Sequence, residues 1–301
     1  MLSFKKVELS DKPLIKPFLD QQNYRASEFC FTNLCCWEIK YQTEFTIDND
    51  WLLIRFKDDE NNTSYLKPLG KGDLKRAITT LIDDSSQFDT PFQLRSVTPQ
   101  MWNEIEMAMP GAFRKTSDRK LFDYIYTSDK LIYLKGRKLQ SKRNYVNRFK
   151  KKYDWSYKSL TGRPDLVKEC KQMLEKWMEE KGEDKDLSLR FDHYATRMML
   201  DNFEYLELRG GVICIEGQMI AFSIGSKLTE DTLDVHVEKA MSEDVPEAYA
   251  VINQQFVEHE ASDFTYINRE EDMGLKSLRK AKLSYRPDIL LEKYILRLKS
   301  K

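Results

Sequence analysis

Hydrophobic and polar residues follow two periods along this chain, and the places where one period replaces the other predict its elements. Up to Ser128, the strand-like alternation and the helix-like spacing predict the order β, α, α, β, β, β, α, β, α, β, β. Turn residues such as Asn49-Asp50 and Asn61-Asn62 separate the strands. Gly70-Lys71-Gly72-Asp73 leads into the third helix.

A similar succession recurs in the second half of the chain. Strands are predicted at 155–160, 205–209, 211–217, 219–228, 232–239 and 263–269. Helices are predicted from Pro164 to Lys181, over 192–204, from Pro246, and from Gly274 to about Leu283. Segment 285–298 reads as extended. The pattern predicts an α+β protein of two domains, residues 1–128 and 129–301, each a mixed but mainly antiparallel sheet flanked by helices.

The two halves are joined by a basic segment at 135–152, which carries nine basic residues and no acidic one. The whole chain has 49 basic and 49 acidic residues, so the rest of it has a net charge of −9. Leu139, Val146 and Phe149 recur at helical spacing, which predicts a docked helix with a basic outer surface. Such a surface suits a polyanion, although a merely solvated charge run has the same composition.

The composition is that of a folded globular protein. The chain has 301 residues, of which 41% are hydrophobic and 33% are charged. No apolar run resembles a signal peptide or a membrane-spanning segment. The five cysteines form no CxxC pair, so we expect reduced thiols and a cytoplasmic protein. The three histidines lie far apart in sequence, and no metal site is predicted.

The predicted order of elements resembles the GNAT (acyl-CoA N-acyltransferase-like) fold, present twice in one chain. The segment Leu134-Lys135-Gly136-Arg137-Lys138, followed by Arg143 and Asn147-Arg148-Phe149, resembles the entry to the soluble catalytic domain of bacterial phosphatidylglycerol lysyltransferases. The segment 266–287 is similar to a signature of uncharacterised relatives of that domain. This resemblance implies transfer of an acyl or aminoacyl group. Aminoacyl-tRNA is the donor precedent, and the acceptor would be a small molecule or a lipid headgroup.

Candidate substrate-binding residues follow the predicted strand at 263–269. They are Asn268, Arg269, Arg279, Lys280, Lys282, Tyr285, Arg286 and, on the preceding helix, Asn253. Functional polar groups often collect where a strand ends, and Asp272 could equally cap the next helix. Lys282 falls on the apolar arc of that helix. It either extends outward to solvent or is a buried cation that pairs with Glu270, Glu271 or an anionic donor.

Three residues are candidate proton acceptors for direct attack on an activated acyl group. Alternation along strand 232–239 places His236 and Glu238 on one face, where a histidine and a carboxylate could act as an acid/base pair. Glu271 is the third candidate. A solvent-facing polar edge is the alternative explanation of the first two. No Ser-His-Asp arrangement is evident, and a covalent intermediate is not needed.

The donor is predicted from charge and from glycine content. A tRNA donor would contact Arg137, Lys138, Arg143, Asn147 and Arg148 of the basic segment. A CoA pyrophosphate needs glycine for close approach of backbone N–H groups. Segment 239–246 has no glycine, whereas Gly70-Lys71-Gly72 offers a weak cradle. We expect no tightly bound cofactor, with aminoacyl-tRNA or acyl-CoA as co-substrate.

Two other functions are compatible with the same pattern. One is a non-catalytic nucleic-acid-binding protein that keeps the fold and the basic helix. The other is a conventional acetyl-CoA-dependent N-acetyltransferase. A cleft that gathers His236, Glu238, Asn268 and Arg279 would favour a transferase, and an open basic face without a cleft would favour a binding protein.

Overall fold

A computed structural model describes residues 2–181 and 187–299 and divides them into two compact units. The first unit is the chain up to Asp123 together with Glu271–Gly274 and the segment from Leu291 onward. The second unit is Tyr124–Glu270 together with Leu275–Leu290. Each unit has its own mixed sheet with helices, which is the predicted α+β class.

The first unit is built on an eight-stranded sheet of order β1-β2-β3-β4-β6-β15-β7, with β5 paired to β3. Its strands are β1 Lys5–Lys6, β2 Glu44–Asp48, β3 Trp51–Lys57, β4 Thr63–Tyr65, β5 Leu69–Gly70, β6 Gln93–Val97, β7 Phe113–Ser117 and β15 Tyr294–Leu298. Its helices are α1 Lys12–Asp20, α2 Phe31–Cys36, α3 Glu38–Tyr41, α4 Leu74–Ser85 and α5 Pro99–Ala108. Short 3-10 turns lie at Leu9–Asp11, Ser27–Phe29 and Arg119–Leu121.

The second unit is built on a seven-stranded sheet of order β14-β8-β13-β12-β11-β10-β9. Its strands are β8 Asp123–Thr127, β9 Trp155–Ser159, β10 Arg209–Ile215, β11 Gln218–Thr229, β12 Thr232–Ala240, β13 Tyr266–Asn268 and β14 Ile289–Leu291. Its helices are α6 Ser128–Tyr133, α7 Gln140–Lys152, α8 Pro164–Lys181, α9 Leu187–Asp201, α10 Ala248–Glu260 and α11 Lys276–Ser284. A 3-10 turn lies at Arg137–Leu139.

The observed division of the chain differs from a single boundary at Ser128. Strand β8 belongs to the second sheet because Tyr124 and Tyr126 are fully buried in the second hydrophobic core. Strand β15 joins the first sheet, where it pairs with β6 and β7. The first half of the sequence therefore contributes β8 to the second sheet, and the second half contributes β15 to the first sheet. The segment 205–209, predicted as a strand, is mostly turn before β10 begins at Arg209.

Helices α6, α7 and α10 cover one face of the second sheet. Val146 and Phe149, from the predicted apolar stripe of α7, pack in a core with Val251 and Phe256 of α10. Gly225 of β11 is required mainly by the backbone of β12, since a Cβ there would lie 2.4 Å from the Asp234 carbonyl oxygen; it would also lie 3.3 Å from the Phe256 ring of α10. The basic segment is thus a docked helix, although its first part is a 3-10 turn.

The first unit contains a buried cation that ties β15 to the start of β8. Lys293 is 1% exposed, and its Nζ lies 2.7 Å from Asp123 Oδ1 and 2.7 Å from Glu28 Oε2. Burial alone would lower the pKa of Lys293. The carboxylates of Asp123, Glu28 and Glu271 outweigh that effect and hold the pKa above its ordinary value. The candidate Glu271 is therefore part of the electrostatic environment of Lys293.

We expect Lys293→Met to lower the free energy of unfolding of the protein by about 3–5 kcal/mol, because it leaves the buried carboxylate of Asp123 without its cation. Urea unfolding followed by circular dichroism measures the loss. Lys299→Met is the matched control, since Lys299 is exposed just beyond the same strand. Equal stability of the two variants would contradict a structural role for Lys293.

Candidate functional site

The second sheet opens between its parallel strands β12 and β13. These strands pair only where Thr232–Asp234 faces Tyr266–Asn268. Strand β12 continues to Ala240, and within the described part of the chain Val235–Ala240 has no pairing with β13. Side chains around this opening can approach a ligand from a strand end and from the helices that cover the sheet.

A β-bulge at His236 decides which side chains face the opening. Ile224 of β11 pairs with Val237 and Gly225 pairs with Val235, so His236 is the extra residue on β12. The bulge inverts the alternation beyond it. Glu238 therefore faces α10 on the same side as Val235, whereas His236 faces the opposite side. The predicted His236–Glu238 acid/base pair is wrong for this reason.

On its own side of the sheet, His236 belongs to a buried polar network. Its Nε2 lies 2.8 Å from Ser226 Oγ, and its Nδ1 lies 3.2 Å from Glu270 Oε1. Asn268 Oδ1 accepts a hydrogen bond of 2.7 Å from the Glu270 amide, which helps to hold Glu270 at a positive φ of 55°. Both ring nitrogens of His236 contact protein groups, and this favours a structural role for His236 and Asn268.

On the α10 side, Glu238 and Arg269 form a buried ion pair. The side chains of Glu238 and Arg269 are 15% and 11% exposed, and Arg269 Nη2 donates to Glu238 Oε2. Asn253 Nδ2 donates to the other carboxylate oxygen at 3.1 Å. The guanidinium carbon lies 5.1 Å from the Tyr285 ring centroid and 5.8 Å from that of Tyr126. Burial opposes the charge of Arg269, but Glu238 outweighs it and keeps the pKa of Arg269 above its ordinary value.

Three buried polar atoms of this site have no hydrogen-bond partner among the described residues. They are Nε and Nη1 of Arg269 and Oδ1 of Asn253. An unsatisfied buried donor or acceptor costs about 1–3 kcal/mol, so proteins rarely leave several together. The arrangement offers two donors and one acceptor to a molecule that enters from outside.

Lys142 of α7 also reaches this site, although the sequence analysis did not select it. Its Nζ lies 4.5 Å from the Tyr285 ring centroid. Burial lowers the pKa of Lys142, and the Arg269 charge lowers it further while Glu238 partly opposes the shift. A signal was present, because Lys142 lies three residues after Leu139 and four before Val146, on the apolar stripe of the basic segment.

Tyr126 was missed because β8 was assigned to the first half. Burial raises the pKa of Tyr126 above its ordinary range and raises the pKa of Tyr285 to about 12. Tyr126 Oη donates to the Lys282 carbonyl at 2.7 Å, and the two tyrosine rings meet edge to face. Both phenols therefore stay protonated at neutral pH and shape the site.

Helix α11 holds the backbone next to this site through Lys282. Lys282 is buried, and its Nζ donates to the backbone carbonyls of Arg269 at 2.5 Å and Glu270 at 3.2 Å. Of the two alternatives for Lys282, the buried cation is observed. Its partners include main-chain oxygens, so it fixes the segment that carries Arg269.

The remaining candidates, on α11 or next to it in sequence, do not share the buried position of Lys282. Lys280 and Arg286 are exposed, and Arg279 is partly buried. The Asp272 side chain accepts from the Gly274 amide at 2.9 Å, and Leu275 is the residue before α11, so Asp272 is not its N-cap. Glu271 belongs to the first unit.

The five nucleic-acid candidates fall into two groups. Arg143 Nη1 donates to the Leu134 carbonyl at 2.5 Å, and Arg148 Nε donates to Glu247 Oε1 at 2.5 Å, so both have structural partners. The other three residues are exposed on the surface of the second unit. They are Arg137, Lys138 and Asn147.

Comparison with known proteins identifies the family. The family described as "Phosphatidylglycerol lysyltransferase, C-terminal" matches residues 20–297. The chain belongs to this family. It is 38% identical to a conserved protein of unknown function from Bacteroides thetaiotaomicron, over 99% of this chain and 100% of that one, with a TM-score of 0.91.

A second solved structure supports the fold at lower identity. The C-terminal domain of a putative lysylphosphatidylglycerol synthetase from Agrobacterium fabrum is 11% identical, covers 97% of this chain and 92% of its own, and has a TM-score of 0.66. The expected α+β class, with two mixed sheets flanked by helices, is confirmed. An uncharacterised protein of Mycoplasmoides gallisepticum is 23% identical over 58% of this chain, a match that spans 56% of that protein.

Each of the two loops considered for CoA has an internal structural explanation. A Cβ on Gly70 would lie 2.1 Å from the Asp50 carbonyl oxygen, so the glycine is explained by a close backbone approach. At the start of α10, the buried carboxylate of Glu247 occupies the position where the helix dipole would favour an anion, and Arg148 pairs with it.

No helix within residues 2–181 and 187–299 has both the length and the apolar character needed to cross a bilayer.

We expect Arg269→Met alone to lower the free energy of unfolding by about 3–5 kcal/mol, because it leaves the buried Glu238 carboxylate unpaired. The double variant Glu238→Met/Arg269→Met should recover most of that loss, since no lone charge remains. Urea unfolding measures both.

The control for this cycle is the surface pair of Arg163 and Asp165, whose side chains are 48% and 56% exposed. Arg163→Met should change stability far less than Arg269→Met does, because solvent screens an exposed pair. A similarly small loss for Arg269→Met would show that the Glu238–Arg269 pair is not electrostatically isolated from water.

Proposed function

We propose that this chain is a transferase that moves an activated acyl or aminoacyl group, and that the reaction takes place at the Glu238–Arg269 site. The observation that carries the proposal is the buried guanidinium of Arg269, whose Nε and Nη1 have no partner among the described residues. Donors fixed in a desolvated site are what stabilises the oxyanion of acyl transfer. The family match and the opening of the sheet beside Arg269 support the same reaction class.

The unpartnered groups match the polar atoms of an aminoacyl ester. Its carbonyl oxygen is an acceptor for the N–H groups of Arg269, and its α-amino group is a donor for Asn253 Oδ1. Glu238 keeps the two residues in place, because its two carboxylate oxygens bind one of them each. Attack by an amine or hydroxyl acceptor would develop negative charge on the carbonyl oxygen, beside the guanidinium.

An aminoacyl-tRNA is the proposed donor. The two loops considered for CoA are explained by internal packing and by the Glu247–Arg148 pair. Arg137 and Lys138 are exposed cations on the second unit and could contact tRNA phosphates. The proposed acceptor is the amine or hydroxyl of a small molecule or lipid headgroup.

The first unit is proposed to be non-catalytic. Its parallel pair, β4 and β6, is followed by Lys67, which is buried beside Glu104 and Tyr24. Lys67 Nζ lies 2.9 Å from Glu104 Oε2 and 3.0 Å from Tyr24 Oη, and Tyr24 donates to the same carboxylate oxygen at 2.6 Å. These groups satisfy one another, in contrast to the Arg269 site.

The decisive experiment follows loss of the aminoacyl ester when the protein meets tRNAs charged with each of several labelled amino acids. We expect one charged tRNA to lose its ester faster than in buffer, and Arg269→Met to reduce that rate by about 10²–10³-fold. Lys168→Met, an exposed change on α8, should leave it unchanged.

Three results would contradict this donor, this site or the transfer reaction itself. Ester loss that Arg269→Met does not alter would place the chemistry elsewhere. Acetyl transfer from acetyl-CoA, with no effect on any charged tRNA, would favour a conventional N-acetyltransferase. Binding of tRNA with no ester loss would favour a non-catalytic nucleic-acid-binding protein.

A separate prediction concerns tRNA binding. If Arg137 and Lys138 contact phosphates, Arg137→Gln/Lys138→Gln should weaken binding and make its log–log salt slope shallower by about 1–2. Filter binding at several salt concentrations measures both quantities. Lys168→Gln removes an exposed charge outside this surface and should change neither. An unchanged slope in the double variant would exclude Arg137 and Lys138 from the contact surface.

A further inference from the structure

We propose that Lys142 is the proton acceptor that activates the attacking nucleophile at the Glu238–Arg269 site. This inference rests on the proposed function, because it assigns a step of that reaction. It rests on geometry that is independent of the family match. Lys142 and Arg269 lie against one ring, that of Tyr285, with Nζ at 4.5 Å and the guanidinium carbon at 5.1 Å from the centroid.

The carboxylate in the site is a poor proton acceptor. Glu238 receives one hydrogen bond on each oxygen, from Asn253 Nδ2 and from Arg269 Nη2. Both carboxylate oxygens are thus already engaged by protein donors. Glu238 therefore orients its neighbours and does not take the proton.

The other titratable groups near the opening are also unsuitable. Tyr126 and Tyr285 are buried phenols that remain protonated at neutral pH. His236 is turned to the opposite side of the sheet by the β-bulge. Arg269 does not lose its proton in proteins. Lys142 remains as the group that can exchange one.

Charge balance explains why Lys142 can give up its proton here. The site holds two cations, Lys142 and Arg269, but one carboxylate, that of Glu238, and the side chains of Tyr126 and Tyr285 complete its walls. With Lys142 neutral, the site has no net charge. A neutral amine in a desolvated site is an effective base, as in other enzymes with buried lysines.

Lys142 takes one proton and returns it in the course of the proposed reaction. The neutral Nζ of Lys142 takes the proton of the acceptor N–H or O–H while the acceptor atom attacks the ester carbonyl carbon. The oxyanion that forms is held by the N–H groups of Arg269. Its collapse breaks the bond to the donor oxygen, and the Lys142 ammonium returns the proton to that leaving oxygen.

One experiment tests the chemistry of Lys142 without any activity assay. Trace labelling with acetic anhydride at a series of pH values, read by mass spectrometry, gives the pH at which each lysine becomes reactive. We expect the midpoint of Lys142 to lie below that of the exposed Lys168, and Arg269→Met to move it upward, because a neighbouring cation has been removed. A Lys142 midpoint equal to that of Lys168 would overturn the proposal.

A second experiment tests the role in transfer. Lys142→Met and Lys142→Arg should reduce transfer to an alcohol or amine acceptor by about 10²–10⁴-fold, and the rise of rate with pH through the Lys142 midpoint should disappear. Hydroxylamine is already unprotonated at neutral pH, so its reaction with the donor should fall by less than about tenfold. Lys168→Met is the control. A pH profile unchanged in Lys142→Arg would overturn the proposal.

The two experiments separate the failures. If no charged tRNA loses its ester to the unaltered protein but the Lys142 midpoint is low, the donor assignment fails and the low-pKa lysine stands. If ester loss depends on Arg269 but not on Lys142, the site stands and the proton acceptor is another group.

Discussion

The second unit depends on how it accommodates a buried guanidinium. A charge of this kind cannot be taken out of water unless a counter-charge and hydrogen bonds compensate for the lost hydration. Glu238 supplies the counter-charge, and Asn253 fixes the second oxygen of that carboxylate. Lys282 holds the backbone that carries Arg269. Residues from β12, β13, α10 and α11 are therefore required at one place, and their arrangement follows from that requirement.

The same requirement separates the two units chemically. Each has a parallel strand pair with a buried cation nearby, but in the first unit Lys67 is satisfied by Glu104 and Tyr24. Around Arg269 the compensation is incomplete, because donors and an acceptor are left over. Incomplete compensation lowers stability, and proteins tolerate it mainly where a ligand completes the set. This difference is the physical basis for locating the chemistry in the second unit.

Much of the fold could be predicted from the sequence, because strand alternation, helix spacing and turn residues are local signals. The apolar stripe that docks α7, at Val146 and Phe149, is an example. Which sheet contains β8 and which contains β15 could not be predicted, since pairing between strands that are distant in sequence gives no local sequence signal. In the site, Arg269 and Tyr285 were predicted because they lie at or beyond the end of a predicted strand, and Asn253 was predicted as an amide on the preceding helix. The separation of His236 from Glu238 could not be predicted, because one extra residue in β12 changes the face of the sheet to which every later side chain of that strand points.

The placement of β15 has a consequence for how the protein forms and how it can be divided. Strand β15 lies between β6 and β7 of the first sheet, so that sheet stays incomplete until residues 294–298 have been synthesised. The strands β1–β7 would leave the ribosome before β15, with which β6 and β7 pair, has been synthesised. Dividing the chain near residue 150 would give two fragments that each lack a strand of their sheet, and removing β15 would damage the first unit.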